Sequence, residues 1–190
     1  MKIGIYGGSF NPIHFGHIGL AKWVAENTDL DEVWLMVSPN NPLKDKSILA
    51  DEQERLEKAR EAIEAYPQHL PKGRGAGESD EAMRREGKRI VVSDFEFHLP
   101  RPTYTANTLR ALAEEYPEHE FTLIIGEDNL HIFDQWREYQ YILDNYRVFV
   151  YPRETENGKR KTENGKGIIY LAGAPYFNIS STELRKNLQV

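Results

Sequence analysis

Short apolar runs of strand length alternate with helix-like segments along this chain, and the alternation predicts an α/β domain doubly wound about a mainly parallel sheet. Two further observations agree. The runs are rich in β-branched and aromatic residues, as buried strands require, and 190 residues suit one compact domain with a well-buried core. The predicted strands are Ile3 to Tyr6, Val33 to Val37, Ile90 to Phe97, Phe121 to Ile125, Val148 to Tyr151 and Ile168 to Leu171. The predicted helices are Gly16 to Asn27, Asp51 to Tyr66, Thr105 to Tyr116 and Asn129 to Leu143. In such a sheet ligands bind beyond the carboxyl ends of the strands, so the loops there are where chemistry is expected.

The first strand starts almost at the N-terminus, and no apolar run approaches the roughly 20 residues of a membrane span. A soluble, unprocessed, cytoplasmic chain is the expectation. The net charge of -6 argues against an extended nucleic-acid surface or an anionic membrane as partner, since both demand a basic face. The absence of cysteine excludes disulfides, thiolate zinc sites and cysteine-based catalysis.

After the first strand comes Gly7-Gly8-Ser9-Phe10-Asn11-Pro12-Ile13-His14-Phe15-Gly16-His17. Paired glycines let backbone amides approach a phosphate with no Cβ in the way. The segment lacks the Gly-Lys-Ser/Thr ending of a Walker loop and is not the G-x-G-x-x-G dinucleotide fingerprint. His14 and His17 lie three apart at a helix start, which puts both imidazoles on one face of the first turn, near the positive end of the helix dipole. Such a pair can donate hydrogen bonds to phosphate oxygens. A zinc site is not expected, because no H-E-x-x-H helix or cysteine cluster supplies the remaining ligands.

Two stretches read as surface insertions in the single domain, at about 71–88 and 154–167. The first carries Gly73, Gly75 and Gly77 among dense charge, and the second repeats Thr-Glu-Asn-Gly-Lys at 155–159 and 162–166. Both read as exposed connections. The final helix opens with Ile179-Ser180-Ser181-Thr182-Glu183-Leu184-Arg185. A capping box explains Ser180 and Glu183 but not Arg185, whose guanidinium, beside amides that already favour anions, can clamp the β- and γ-phosphates of a triphosphate.

With both signatures in order, the chain resembles the nucleotidyltransferase superfamily marked by H-x-G-H and I-S-S-T-x-x-R, a Rossmann-like fold. Within it, nearly the whole chain apart from the insertions resembles the bacterial nicotinate mononucleotide adenylyltransferases. Three more segments carry that resemblance: Pro39 to Lys44, Pro102 to Thr108, and Ile125-Gly126-Glu127-Asp128 followed by Trp136-Arg137. It implies transfer of the adenylyl group of ATP, with Mg²⁺ carried by the triphosphate and no resident metal, to nicotinate mononucleotide with release of pyrophosphate. The implied catalytic residues are His14, His17 and Arg185. Gly7, Gly8, Ser9, Phe10, Gly126, Asp128, Ile179 and Ser181 join them around ATP, with Gly126 and Asp128 facing the adenosine. For the acceptor the resemblance implies Asn11, Lys44, Thr105, Trp136 and Arg137, with Lys44 on phosphate, Thr105 at the nicotinate end and Trp136 stacked on the pyridine ring.

Departures from the family pattern are Thr103 for serine, which keeps the hydroxyl, and Asn107 for aspartate, which loses a charge. The competing readings are a sister enzyme acting on nicotinamide mononucleotide, phosphopantetheine or glycerol 3-phosphate, and a non-catalytic nucleotide sensor. A homo-oligomer is compatible with the sequence.

Overall fold

The structure, a computed structural model, describes residues 1–39, 51–69, 89–153, 167–177 and 184. The described strands are β1 (Lys2–Gly8), β2 (Glu32–Val37), β3 (Arg89–Ser93), β4 (Glu120–Gly126), β5 (Arg147–Tyr151) and β6 (Ile168–Tyr170). They form one sheet in the order β3-β2-β1-β4-β5-β6, and every pairing is parallel. The helices are α1 (Phe15–Asn27), α2 (Glu52–His69), α3 (Thr105–Glu115), α4 (Glu127–Leu130, a single turn) and α5 (Tyr139–Asn145). The doubly wound fold expected from the sequence is the one observed. None of the described helices is long and apolar enough to cross a membrane.

Strand alternation divides the core between the two faces of the sheet. Tyr6, Val33, Leu35, Val37, Ile124 and Phe149 pack with Leu20, Ala21 and Val24 of α1 and with Leu56 and Ala59 of α2. Their sequence neighbours Ile3, Ile5, Met36, Leu123, Ile125, Val148 and Val150 face the other way, against Ala106, Leu109 and Leu112 of α3 and Ile142 of α5. Both faces are therefore covered, which is why the strands read as nearly continuous apolar runs.

Two predicted elements end earlier than expected. The run Ile90 to Phe97 is a strand only as far as Ser93, whose hydroxyl accepts the Phe95 amide at 3.3 Å, and Phe95–His98 is a 3-10 turn. The helix expected over Asn129 to Leu143 is broken into α4, a 3-10 turn at Phe133–Gln135 and α5. Trp136 is extended and Glu138 left-handed at φ 54°, and neither conformation continues a helix. The insertions expected at 71–88 and 154–167 lie outside the described residues, except Gly167.

From β1 the chain builds outwards through β2 to β3, and β4 returns to the opposite side of β1. The carboxyl ends of β1 and β4 are thus the switch point of the sheet, where an open α/β fold forms its ligand crevice.

Candidate active site

The loop leaving β1 is shaped from three directions. The Gly8 carbonyl accepts the Ser38 amide at 2.9 Å, joining the ends of β1 and β2. Phe10 takes a left-handed φ of 44°, and its ring sits edge-on to Tyr6 at 5.8 Å and to His17 at 5.1 Å. Beneath the loop, Arg55 of α2 is only 2 % exposed. Its guanidinium donates to the carbonyls of Ser9 (2.6 Å), Ser38 (2.8 Å) and Pro39 (3.1 Å). Burial lowers its pKa, while Glu52 and Asp51 oppose that. Because a peptide unit is planar, pinning the Ser9 carbonyl downwards turns the Phe10 amide the opposite way. A Cβ added to Gly7 would meet nothing within 4 Å, so the room beside that backbone is open.

His14 is the N-cap of α1 and His17 stands one turn in. The His14 amide donates to His17 Nδ1 at 3.2 Å, so a neutral His17 carries its proton on Nε2. The two rings lie 3.7 Å apart at 32°. Both ring nitrogens of His14 are buried with no hydrogen-bond partner. Burial, reinforced by the nearby Arg153 guanidinium, lowers its pKa from 6.5 to about 4. A neutral imidazole can donate to a phosphate without carrying a charge of its own.

A cleft of about 600 Å³ opens at the switch point. Gly7, Gly8, Ser9, Phe10 and His17 line one side, and Gly126, Asp128 and Arg153 line another. Gly126 ends β4, and a Cβ there would lie 2.3 Å from Asp128 Oδ1 and 3.1 Å from the Arg153 side chain. Glycine is required for Asp128 and Arg153 to pair at 3.0 Å beside the backbone. Tyr104, Thr105, Trp136 and Arg137 form the far wall. There the Arg137 guanidinium lies 4.9 Å from the Tyr104 ring centre, and the Trp136 indole N–H is buried with no partner. The floor is Ser38, Glu96 and Thr108. A narrow side crevice between His14, Arg153 and Phe177 adjoins the cleft at His17 and Tyr151.

The structure therefore brings together Gly7, Gly8, Ser9, Phe10, His17, Gly126, Asp128, Thr105, Trp136 and Arg137 around one cleft, with His14 against the adjoining crevice. Asn11 is 5 % exposed and is not among the residues lining the cleft. Lys44, Ile179, Ser181 and Arg185 lie outside the described residues. Around Asn107, Arg110 donates to the Asn107 amide oxygen at 3.2 Å and to Glu138 at 3.2 Å. The carboxylate paired with Arg110 thus comes from Glu138.

Sequence reasoning passed over Arg55, Glu96 and Arg153. Arg55 sits in a charge-rich helix where an arginine reads as solvated. Glu96 lies in a segment expected to be strand. Arg153, just beyond β5, carried the one available signal: a cation in a loop at the carboxyl end of a parallel strand.

Comparison with known proteins identifies the family. Residues 5–187 match the cytidylyltransferase-like family. A probable nicotinate-nucleotide adenylyltransferase of Flavobacterium johnsoniae is 42 % identical over 189 residues, covering 100 % of this chain and 87 % of the relative. Another from Bacteroides fragilis is 43 % identical over 187 residues, covering 98 % and 82 %. Among solved structures, the Plasmodium falciparum nicotinic acid mononucleotide adenylyltransferase complexed with NaAD superposes with a TM-score of 0.69. It covers 97 % of this chain and 82 % of that one at 21 % identity, a likeness of fold.

Proposed function

The chain belongs to the cytidylyltransferase-like family and, within it, to the nicotinate-nucleotide adenylyltransferases, and on that premise we propose that it transfers the adenylyl group of ATP to nicotinate mononucleotide. The products are nicotinate adenine dinucleotide and pyrophosphate. The observation that carries this reading is the single cleft that has the β1 loop and His17 on one side and Thr105, Trp136 and Arg137 on the other.

In the reaction, an oxygen of the acceptor 5′-phosphate attacks the α-phosphorus of ATP, which enters as its Mg²⁺ complex. The new P–O bond forms as the bond from the α-phosphorus to the β-bridging oxygen breaks, and pyrophosphate leaves. The nucleophile is already an anion, so no general base is needed. Catalysis rests on positioning and on donors aimed at the developing charge. Gly7, Gly8, Ser9 and Phe10 offer backbone to the phosphates, and His17 offers Nε2–H. His14 supports them as a neutral donor. Arg185, with Ile179 and Ser181 in the same segment, holds the departing phosphates, and Lys44 meets the acceptor phosphate. Gly126 and Asp128 receive the adenosine. Thr105 and Arg137 flank the nicotinate end, where a cationic pyridine ring over the Trp136 indole is favourable. A cytoplasmic location fits a chain without cysteine.

The test is pyrophosphate release with ATP and Mg²⁺, offering nicotinate mononucleotide, nicotinamide mononucleotide and phosphopantetheine in parallel. Release is expected with nicotinate mononucleotide and at most weakly with the others. Release only with another acceptor would retain the nucleotidyl transfer and overturn the roles of Thr105 and Trp136. None with any acceptor would leave a nucleotide-binding protein without this activity.

A further inference from the structure

The floor of the cleft holds a buried carboxylate that the reaction above does not use. Glu96 is 6 % exposed. Its two oxygens accept separate hydroxyls, Ser38 Oγ at 2.5 Å on Oε2 and Thr108 Oγ1 at 2.8 Å on Oε1. Three elements meet here: the end of β2, the 3-10 turn after β3, and α3. All three residues also line the cleft, with Thr108 the most deeply buried of them.

The hydrogen bonds fix what the floor offers a ligand. A hydroxyl has one proton and two lone pairs. Ser38 commits its proton to Glu96. Thr108 Oγ1 stands 2.8 Å from Glu96 and 3.3 Å from the Tyr104 carbonyl, and its proton is used by whichever of the two it meets. Ser38 therefore keeps lone pairs for the cleft, Thr108, only 1 % exposed, holds the carboxylate from behind, and the carboxylate between them adds only acceptor capacity. A surface of acceptors takes donors.

Charge narrows the choice of ligand group. An acceptor nucleotide of this kind is anionic at its phosphate and at its ring carboxylate, and a buried carboxylate repels both. The pyridine nitrogen is cationic but carries no N–H to donate, so the part that offers donors is the sugar with its vicinal hydroxyls. Acidic side chains hold ribose hydroxyls in the same way in dinucleotide-binding folds. Burial pushes the Glu96 carboxyl above its usual range, while the Ser38, Thr108 and Thr103 hydroxyls pull it back. Resting on the proposed acceptor, we infer that Ser38, Glu96 and Thr108 form the ribose subsite of the acceptor nucleotide, with Ser38 Oγ and the Glu96 carboxylate as acceptors for the sugar diol and Thr108 holding that carboxylate in place. The floor then selects a ribonucleotide over its deoxy counterpart and has no part in binding ATP.

The experiment compares wild type with Glu96→Gln, which keeps the side-chain shape but replaces one acceptor oxygen with a donor. Acceptors are nicotinate mononucleotide and its 2′-deoxy analogue. Ribose 5-phosphate and 2-deoxyribose 5-phosphate, which carry no base, serve as competing ligands. Wild type is expected to favour each ribo form by about tenfold, the loss that follows when a site built for a hydroxyl is left unfilled. Glu96→Gln should reduce that preference to about threefold or less, with KM for ATP unchanged. Thr108→Val should lower it in the same direction. An equal preference in wild type and Glu96→Gln, or a rise in KM for ATP matching that for the acceptor, would overturn the inference. If nicotinate mononucleotide proves not to be a substrate but ribose 5-phosphate is still preferred by wild type and not by Glu96→Gln, the proposed acceptor fails and the sugar subsite stands. If nicotinate mononucleotide reacts without regard to its 2′-hydroxyl, the acceptor stands and the subsite fails.

Discussion

The loop after β1 and the floor of the cleft line the same cavity by opposite constructions. The loop is contiguous, with Gly7 to His17 in one stretch and α1 fixing the imidazole spacing. The floor is dispersed: Ser38, Glu96 and Thr108 are brought within hydrogen-bond distance only by sheet order and the turn after β3. A contiguous site survives as a motif, whereas a dispersed one exists only once the topology does. Arg55 is where the two meet, since its guanidinium holds Ser9 in the loop and Ser38 at the edge of the floor.

That junction gives the largest expected effect. Arg55→Met keeps most of the buried volume but leaves the carbonyls of Ser9, Ser38 and Pro39 without this donor. The expected destabilisation is about 3 kcal/mol, from several buried acceptors losing a charged partner, read from urea unfolding. A loss below about 1 kcal/mol would mean that the loop and the floor are held independently. Within the loop, His17→Ala should lower kcat by ~100-fold or more, the usual consequence of removing one preorganised donor, with the fold intact by circular dichroism. Near-normal turnover would take His17 out of the phosphate site. A smaller effect is expected at Gly7→Ala. The added Cβ meets nothing in the protein, so the unfolding midpoint should not move. It occupies the approach of a phosphate to the backbone, so KM for ATP should rise by about tenfold, the equivalent of about one good hydrogen bond. An unchanged KM would place the triphosphate elsewhere along the loop.

The same contrast explains how much was legible beforehand. The sheet could be read because strands buried on both faces must be apolar throughout, as Val33 to Val37 and Phe121 to Ile125 are. The loop could be singled out because its glycine pair and spaced histidines stand together in one stretch between a strand and a helix. Trp136 and Thr105 could be nominated only by resemblance, since α3 and the turns after β4 look locally like ordinary amphipathic structure. The break at Glu138 escaped because left-handed backbone at a non-glycine residue has no signature in the local sequence. Arg55 and Glu96 escaped for a related reason. A charged residue is buried only where several distant chain segments supply its partners, and no local window of sequence contains them.

The smallest effect is the one that tests the loop's electrostatics most directly. In the folded protein His14 has its pKa lowered from 6.5 to about 4, first by burial and then by Arg153. As pH falls through this interval the unfolded chain takes up a proton that the folded chain refuses, so stability is fully present above about 6.5 and is lost towards 4. His14 is only half-buried, and solvent screening reduces the effect to on the order of 1 kcal/mol. His14→Asn keeps an N-cap side chain but does not titrate, so between pH 7 and pH 4 wild type should lose about that much unfolding free energy relative to the variant. In wild type the His14 imidazole resonances should titrate with a midpoint near 4. A midpoint at the ordinary histidine value would mean that the ring is solvated and charged in mildly acidic solution. The loop would then grip phosphate through cationic attraction, and its logic would match that of the arginines rather than that of a neutral, preorganised donor.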